Sequence, residues 1–163
     1  MHNHDAALLD NRRELLSGKG GTVQTMERPP AKPLVIAIPG ELRGKGRPRF
    51  GNGRTFTDAK TTNAEAWVRS CAVEQVGQPM LDGPVQLRIE YEIAIPKSWP
   101  KKKASDARCG RQKPTVKPDV DNVAKLVGDA LNGIVWRDDS QIYELHVSRR
   151  YADVPKATVT IYA

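Results

Sequence analysis

Between residues 84 and 95 the apolar side chains Val85, Leu87, Ile89, Tyr91, Ile93 and Ile95 fall at every second position, with mostly polar residues between them. Successive strand residues point to opposite faces of a sheet, so this spacing specifies a strand with one buried and one wetted face. A sheet with a single apolar face needs a cover on that face, and helices supply it. Residues 57–76 offer one such helix, capped at Thr57-Asp58, carrying Ala64, Trp67, Val68 and Cys71 toward the core, and ended by Gly77 and Pro79. Residues 120–131 offer another. Further strands are expected at 34–38, a β-branched apolar run stopped by Pro39-Gly40, and at 141–151 and 157–162. The order β-α-β-α-β-β predicts an α+β domain, a mixed β-sheet with helices packed on it, over residues 33–163. Residues 1–32 are polar, interrupted by Gly18, Gly20, Gly21, Pro29 and Pro30, and are expected to form a flexible or disordered N-terminal extension.

The formal net charge is +7, which favours a polyanionic partner and makes nucleic acid the first candidate. Charge names a partner class, not an activity. The excess sits in two segments. Residues 43–54 carry Arg43, Lys45, Arg47, Arg49 and Arg54 with no acid among them. Residues 96–118, expected to be irregular, carry Lys97, Lys101, Lys102, Lys103, Arg108, Arg111, Lys113 and Lys117 against the single acid Asp106. A loop of that length in a compact domain is commonly a functional one. The two cysteines, Cys71 and Cys109, provide neither a disulfide framework nor a zinc signature. No apolar stretch approaches the roughly 18 residues of a membrane span, so a cytoplasmic protein without a membrane partner is expected.

Against this basic background, Asp119, Asp121, Asp129, Asp138 and Asp139 crowd into one short segment. At roughly 100° per residue, Asp121, Lys125 and Asp129 share one stripe of the 120–131 helix, opposite Val120, Val123, Val127, Ala130 and Leu131. Asp119 and Asp121 flank Val120, and an extended or helix-entry backbone turns both carboxylates the same way. Such a pair suits a hard cation, Mg2+ or Mn2+, whose remaining positions go to water and phosphate oxygens. The strand following Asp138 and Asp139 could carry that second pair back beside the first. The plainer alternatives are a helix cap at Asp119 or Asp121 and an ordinary surface pair of Asp121 with Lys125. An EF-hand is disfavoured, because Val123 stands two residues after Asp121 and Ala130 stands where the closing glutamate belongs. An Asp-x-Asp centre of the nucleotide-sugar transferase kind fits the basic loops less well than an extended polyanion does.

The string Asp119-Val-Asp121-Asn122-x-x-Lys125-x-x-x-Asp129-Ala-Leu, followed by Asp138-Asp139-x-Gln141-Ile142, resembles the signature of the RusA-type Holliday junction resolvases of bacteria and their prophages. The segment Lys45-Gly-Arg47-Pro48-Arg49-Phe50, leading into Thr55-Phe-Thr57, is similar to the basic segment after the first strand in phage-type members. The resemblance implies a homodimer that binds a four-way junction and makes paired nicks, in DNA recombination and repair. It implies Asp119, Asp121 and Asp139 as metal-binding catalytic acids and Lys125 as the lysine near the scissile phosphate. Asp138, Asp129, Asn122 and Gln141 match the motif without a defined role, and Asp138 competes with Asp139 as a ligand, because the interval from Asp121 is one residue shorter than usual. Pro118 stands where an aromatic wedge would be.

On this reading one or two magnesium ions activate a water for in-line attack on the phosphodiester, and Lys125 adds fixed positive charge. Arg43, Lys45, Arg47, Arg49, Lys101, Lys102, Lys103, Arg111 and Lys113 offset the repulsion between acids and DNA by contacting phosphates. The rivals are a non-catalytic structure-specific DNA-binding protein of the same fold and a nuclease for flaps or forks.

Overall fold

The computed structural model describes residues 32–44, 49–51, 54–56 and 59–163, with the backbone alone described in 49–51 and 54–56. Apart from Lys32, the expected flexible extension lies outside the described residues, as does the Thr57-Asp58 cap. Strands β1 (Leu34–Pro39), β4 (Val85–Ala94), β5 (Ile142–Ala152) and β6 (Lys156–Tyr162) form one mixed sheet in the order β1-β6-β4-β5. The β1–β6 and β4–β6 pairs are antiparallel. The β4–β5 pair is parallel, which requires the long crossover that separates those strands in sequence.

The period-two pattern does what it promised: Val85, Leu87, Ile89, Tyr91 and Ile93 are all buried, and Ile36, Ile38, Ala157, Val159 and Ile161 continue the apolar face across the sheet. Helix α1 (Ala59–Val76) lies against β1 and against helix α3 (Val120–Leu131), and α3 reaches β5. Together they cover that face. Val123, Leu126, Val127, Ala130 and Leu131 of α3 are buried, each large one of them contributing roughly 1.5–3 kcal/mol by leaving water.

The structure departs from the sequence-based expectation in four places. A short antiparallel ribbon of β2 (Arg49–Gly51) and β3 (Arg54–Phe56) precedes α1. Helix α2 (Lys101–Arg108) occupies the segment expected to be irregular. It lacks an apolar stripe and is fastened instead by specific contacts. Trp99 packs edge-on against Tyr151 with ring centroids 4.9 Å apart, the Lys103 ammonium lies 4.0 Å from the Trp99 ring centroid, and Arg108 Nη2 donates to Asp153 at 2.7 Å. Trp67, expected in the core, is 48% exposed. It stands about 100° around the helix from Val68, at the flank of the buried stripe, and its Nε1–H donates to the Pro39 carbonyl at 3.1 Å. Val120, expected on the apolar side of α3, is also exposed, because it starts the helix where the core has not yet closed over it.

The two borders of the sheet are finished differently. At the β1 border the Gln75 carboxamide of α1 accepts from Ala37 N at 2.9 Å and donates to Ala37 O at 2.7 Å, satisfying main-chain groups that a neighbouring strand would otherwise take. At the β5 border Tyr143 and Leu145 are exposed. Among the described residues no helix is long and apolar enough to cross a membrane.

Candidate active site

The N-terminus of α3 opens onto a cleft of about 800 Å³. Asp119, Asp121 and Asn122 line one side of it, and residues 41–44, which follow β1, line another. Lys60 and Thr61 enter from α1, Lys117 and Pro118 precede the helix, and Tyr91 and Ile93 come from β4. Asp119 stands at the N-cap of α3 yet its carboxylate makes no capping hydrogen bond; only its main-chain oxygen serves the helix, accepting from Val123 N at 3.1 Å. The capping alternative for Asp119 therefore fails. Asp119 and Asp121 are both exposed, at the helix end whose unpaired N–H groups favour negative charge.

Three contacts hold the cleft in shape. The buried Tyr91 hydroxyl donates to the Leu42 carbonyl at 3.1 Å, tying the loop after β1 to the sheet. Burial, and then the charge of Glu41, push the Tyr91 phenol above its ordinary pKa, so it stays protonated and keeps donating. Gly44 approaches α3 so closely that a Cβ there would lie 2.7 Å from the Pro118 Cβ and 2.9 Å from the Asn122 Cβ. Arg149, on β5, clamps the segment before Asp119: its guanidinium donates to the carbonyls of Val116 at 2.7 Å, of Pro114 at 3.3 Å, and of Pro118. None of Glu41, Lys60, Tyr91 and Arg149 was singled out from the sequence as part of a site. Glu41 alone left a signal, as an acid next to the basic run.

The second acidic pair is employed otherwise. The Asp138 carboxylate accepts from Ser140 N at 2.9 Å, and the Gln141 side chain answers by accepting from Asp138 N, a reciprocal cap on the 3-10 turn Asp139–Gln141. The Gln141 amide also donates to the carbonyls of Leu81 and Gly83, at 2.9 and 2.8 Å. Ser140 holds the Asp138 carboxyl below the usual aspartate range. Asp139 is exposed, and among the described residues no hydrogen bond or ion pair holds its side chain. The segment leading into this turn is fastened by the fully buried Trp136, which donates from Nε1 to Asn132 Oδ1 at 2.7 Å.

Helix α3 stands between the two pairs. Its 12 residues, at about 1.5 Å each, keep its ends about 18 Å apart. The sheet gives a similar span. Ile142 pairs with Val85, whereas Arg149, which clamps the approach to Asp119, pairs with Tyr91. Those positions are separated by about 20 Å of strand at roughly 3.3 Å per residue. The return of the second pair beside the first, which the sequence left open, is thus not made within the one chain. Among the described residues no three His, Cys, Asp or Glu side chains are grouped closely enough to hold a metal. Lys125 is exposed on α3 beyond Asp121, outside the cleft lining, and Asp129 is half-buried farther along.

Of the basic residues expected to meet DNA, Arg43 lines the cleft. Lys45 and Arg47 lie outside the described residues, and Arg49 is described by its place in β2 alone. Lys101, Lys102 and Lys103 are exposed along α2, but Lys103 is turned onto Trp99. Arg111 is exposed and pairs with Asp106 at 2.7 Å, and Lys113 is exposed.

The family model described as "Endodeoxyribonuclease RusA" matches residues 39–162. A Bacillus subtilis (strain 168) protein that carries the name "Uncharacterized protein YqaN" is 38% identical over 134 residues, covering 78% of this chain and 94% of its own length.

Proposed function

The chain belongs to the RusA endodeoxyribonuclease family, and from that premise we propose that it is a magnesium-dependent endonuclease that resolves four-way DNA junctions by paired symmetric nicks. The observation that carries the reading is the pair Asp119 and Asp121: two aspartates at one helix N-terminus, opening into a cleft that also holds Arg43, Lys60 and Lys117. The donor set fits a hard divalent cation, since it is all oxygen and the Asp119 carboxylate is not consumed by the helix. Asp119 and Asp121 would hold Mg2+, or Mn2+, with Asp139 of the partner subunit completing the set. Asp138 is engaged by its turn, so of the second pair Asp139 is the better ligand. The bound ion would lower the pKa of a water and neutralise charge on the reacting phosphate.

The remaining steps belong to the chain. Arg43, Lys60 and Lys117 draw the phosphate backbone into a cleft whose carboxylates alone would repel it. Lys125, one turn along α3 from Asp121, supplies fixed positive charge toward the scissile phosphate. Lys101, Lys102 and Lys113 extend the cationic surface along neighbouring DNA. A homodimer is part of the reading. With about 18 Å of helix between the acidic pairs of one chain, a second copy related by a two-fold axis brings a carboxylate pair to each end of α3, and two such sites suit paired cuts across a junction. A cytoplasmic setting in DNA recombination and repair follows from the same reading.

The test is the purified protein on a labelled mobile four-way junction, with magnesium and with chelator, resolved at nucleotide level. Symmetric, metal-dependent nicks are expected. Binding without metal-dependent cutting would identify a non-catalytic junction-binding protein of this fold, a rival favoured by the absence of a three-acid group among the described residues. Preferential cutting of flaps or forks would replace the resolvase reading.

A further inference from the structure

The three tryptophans serve different ends. Trp136 is fully buried, Trp99 is packed on Tyr151, and Trp67, on a helix that buries Val68 and Cys71, is 48% exposed. One edge of the exposed ring is tied to the main chain. Its Nε1–H is bound to the Pro39 carbonyl at 3.1 Å, so the polar edge of the indole needs no water and the surface left to solvent is apolar ring. Lys60, Ala64 and Trp67 follow one another at i, i+4 and i+7 of α1 and so face one way. Beside Trp67 lies a second cleft, of about 350 Å³. Glu41, Leu42, Arg43 and Lys60 line this cleft and also the one that holds Asp119 and Asp121, so the two adjoin.

We infer that Trp67 is a stacking platform for an unpaired DNA base, placed on the strand whose phosphate enters the neighbouring acidic cleft. The occupant follows from the two halves of the groove. Arg43 and Lys60 suit phosphates, and a rigid aromatic surface suits the flat face of a base. A base reaches such a surface only when it is out of its own stack, which the crossover of a branched molecule permits and an intact duplex resists. Trp67 therefore contributes selectivity for branched over linear DNA, tolerant of sequence because every base has a π-face. This inference rests on the reading of the chain as a DNA nuclease, and it concerns binding, which is measured without cutting.

Full-length protein is titrated in chelator with a four-way junction and with a linear duplex of equal length. Trp67→Ala is expected to weaken junction binding about tenfold and duplex binding less than about twofold, while Trp67→Phe stays within about threefold of wild type on both. Equal losses on the two substrates, or no loss on the junction, overturn the assignment. Should Trp67→Ala fail to fold, tryptophan emission decides: the junction and not the duplex should quench wild type, and Trp67→Phe should remove that difference. Unquenched wild-type emission overturns the assignment. A protein that binds junctions through Trp67 yet never cuts in magnesium ends the nuclease reading and leaves this one standing. A protein that cuts, with Trp67→Ala binding as tightly as wild type, does the reverse.

Discussion

The two ends of α3 carry the same chemistry in sequence, a pair of aspartates at each, and put it to opposite use. Beyond the C-terminal end, Asp138 is spent on Ser140 within a reciprocal cap whose other half, Gln141, is bonded to the main chain at Arg137, Leu81 and Gly83. At the N-terminal end, Asp119 occupies the cap position and declines the role, leaving its carboxylate in the cleft beside Asp121. A count of acids cannot tell these pairs apart; where each carboxylate spends its hydrogen bonds does.

Substitution tests that contrast directly. Asp121→Asn is expected to lower magnesium-dependent junction nicking by on the order of 100-fold or more while leaving the gel shift in chelator intact. Nicking at wild-type rate would break the comparison at its functional end. Asp139→Asn should cost nearly as much activity with an unchanged melting temperature, whereas Asp138→Ala should spare most of the nicking; if Asp138→Asn abolishes nicking and Asp139→Asn does not, the two roles are exchanged.

Lys101→Ala with Lys102→Ala is expected to weaken junction binding about tenfold in low salt and to reduce the slope of log affinity against log salt by about 2. Arg111→Ala should do less, since its guanidinium already faces Asp106. Gly44→Ala tests the fit of the cleft. The added methyl meets Pro118 and Asn122, and thermal unfolding should report a loss of about 1–3 kcal/mol.

The smallest effect is the most discriminating for the cap. Asp138→Ala should lower the melting temperature by roughly 2–5 °C near neutral pH, and Asp138→Asn, which caps without a charge, by less. The Asp138 carboxyl titrates below its ordinary value in the folded chain, so its contribution is present above the unfolded pKa, about 4, and is lost as pH falls through the depressed one. Asp138→Asn should accordingly flatten the acid limb of melting temperature against pH; an unaltered limb would show that the cap does not titrate.

Much of this architecture was legible in the sequence. The alternation from Val85 to Ile93 determined a one-faced sheet, and the stripe of Val123, Val127, Ala130 and Leu131 determined which side of α3 the core would take, leaving Asp121 outward. Helix α2 was not legible, because it is held by Trp99, Lys103 and the Arg108–Asp153 pair rather than by apolar periodicity. Trp67 was misplaced by counting helical spacing without asking how wide the buried arc is. The division of the acidic site was not legible: the seven residues from Asn132 to Asp138 are enough chain to double back over the 12-residue helix, and it is the register of β5 on β4 that keeps the second pair away.

The carboxamide of Gln75 has a consequence beyond α1. It seals one side of the sheet to strand addition at Ala37, whereas the side bordered by Tyr143 and Leu145 stays open. Within the four-stranded sheet this leaves the β5 border for strand pairing between copies, and pairing through one margin closes after two chains instead of propagating into fibres.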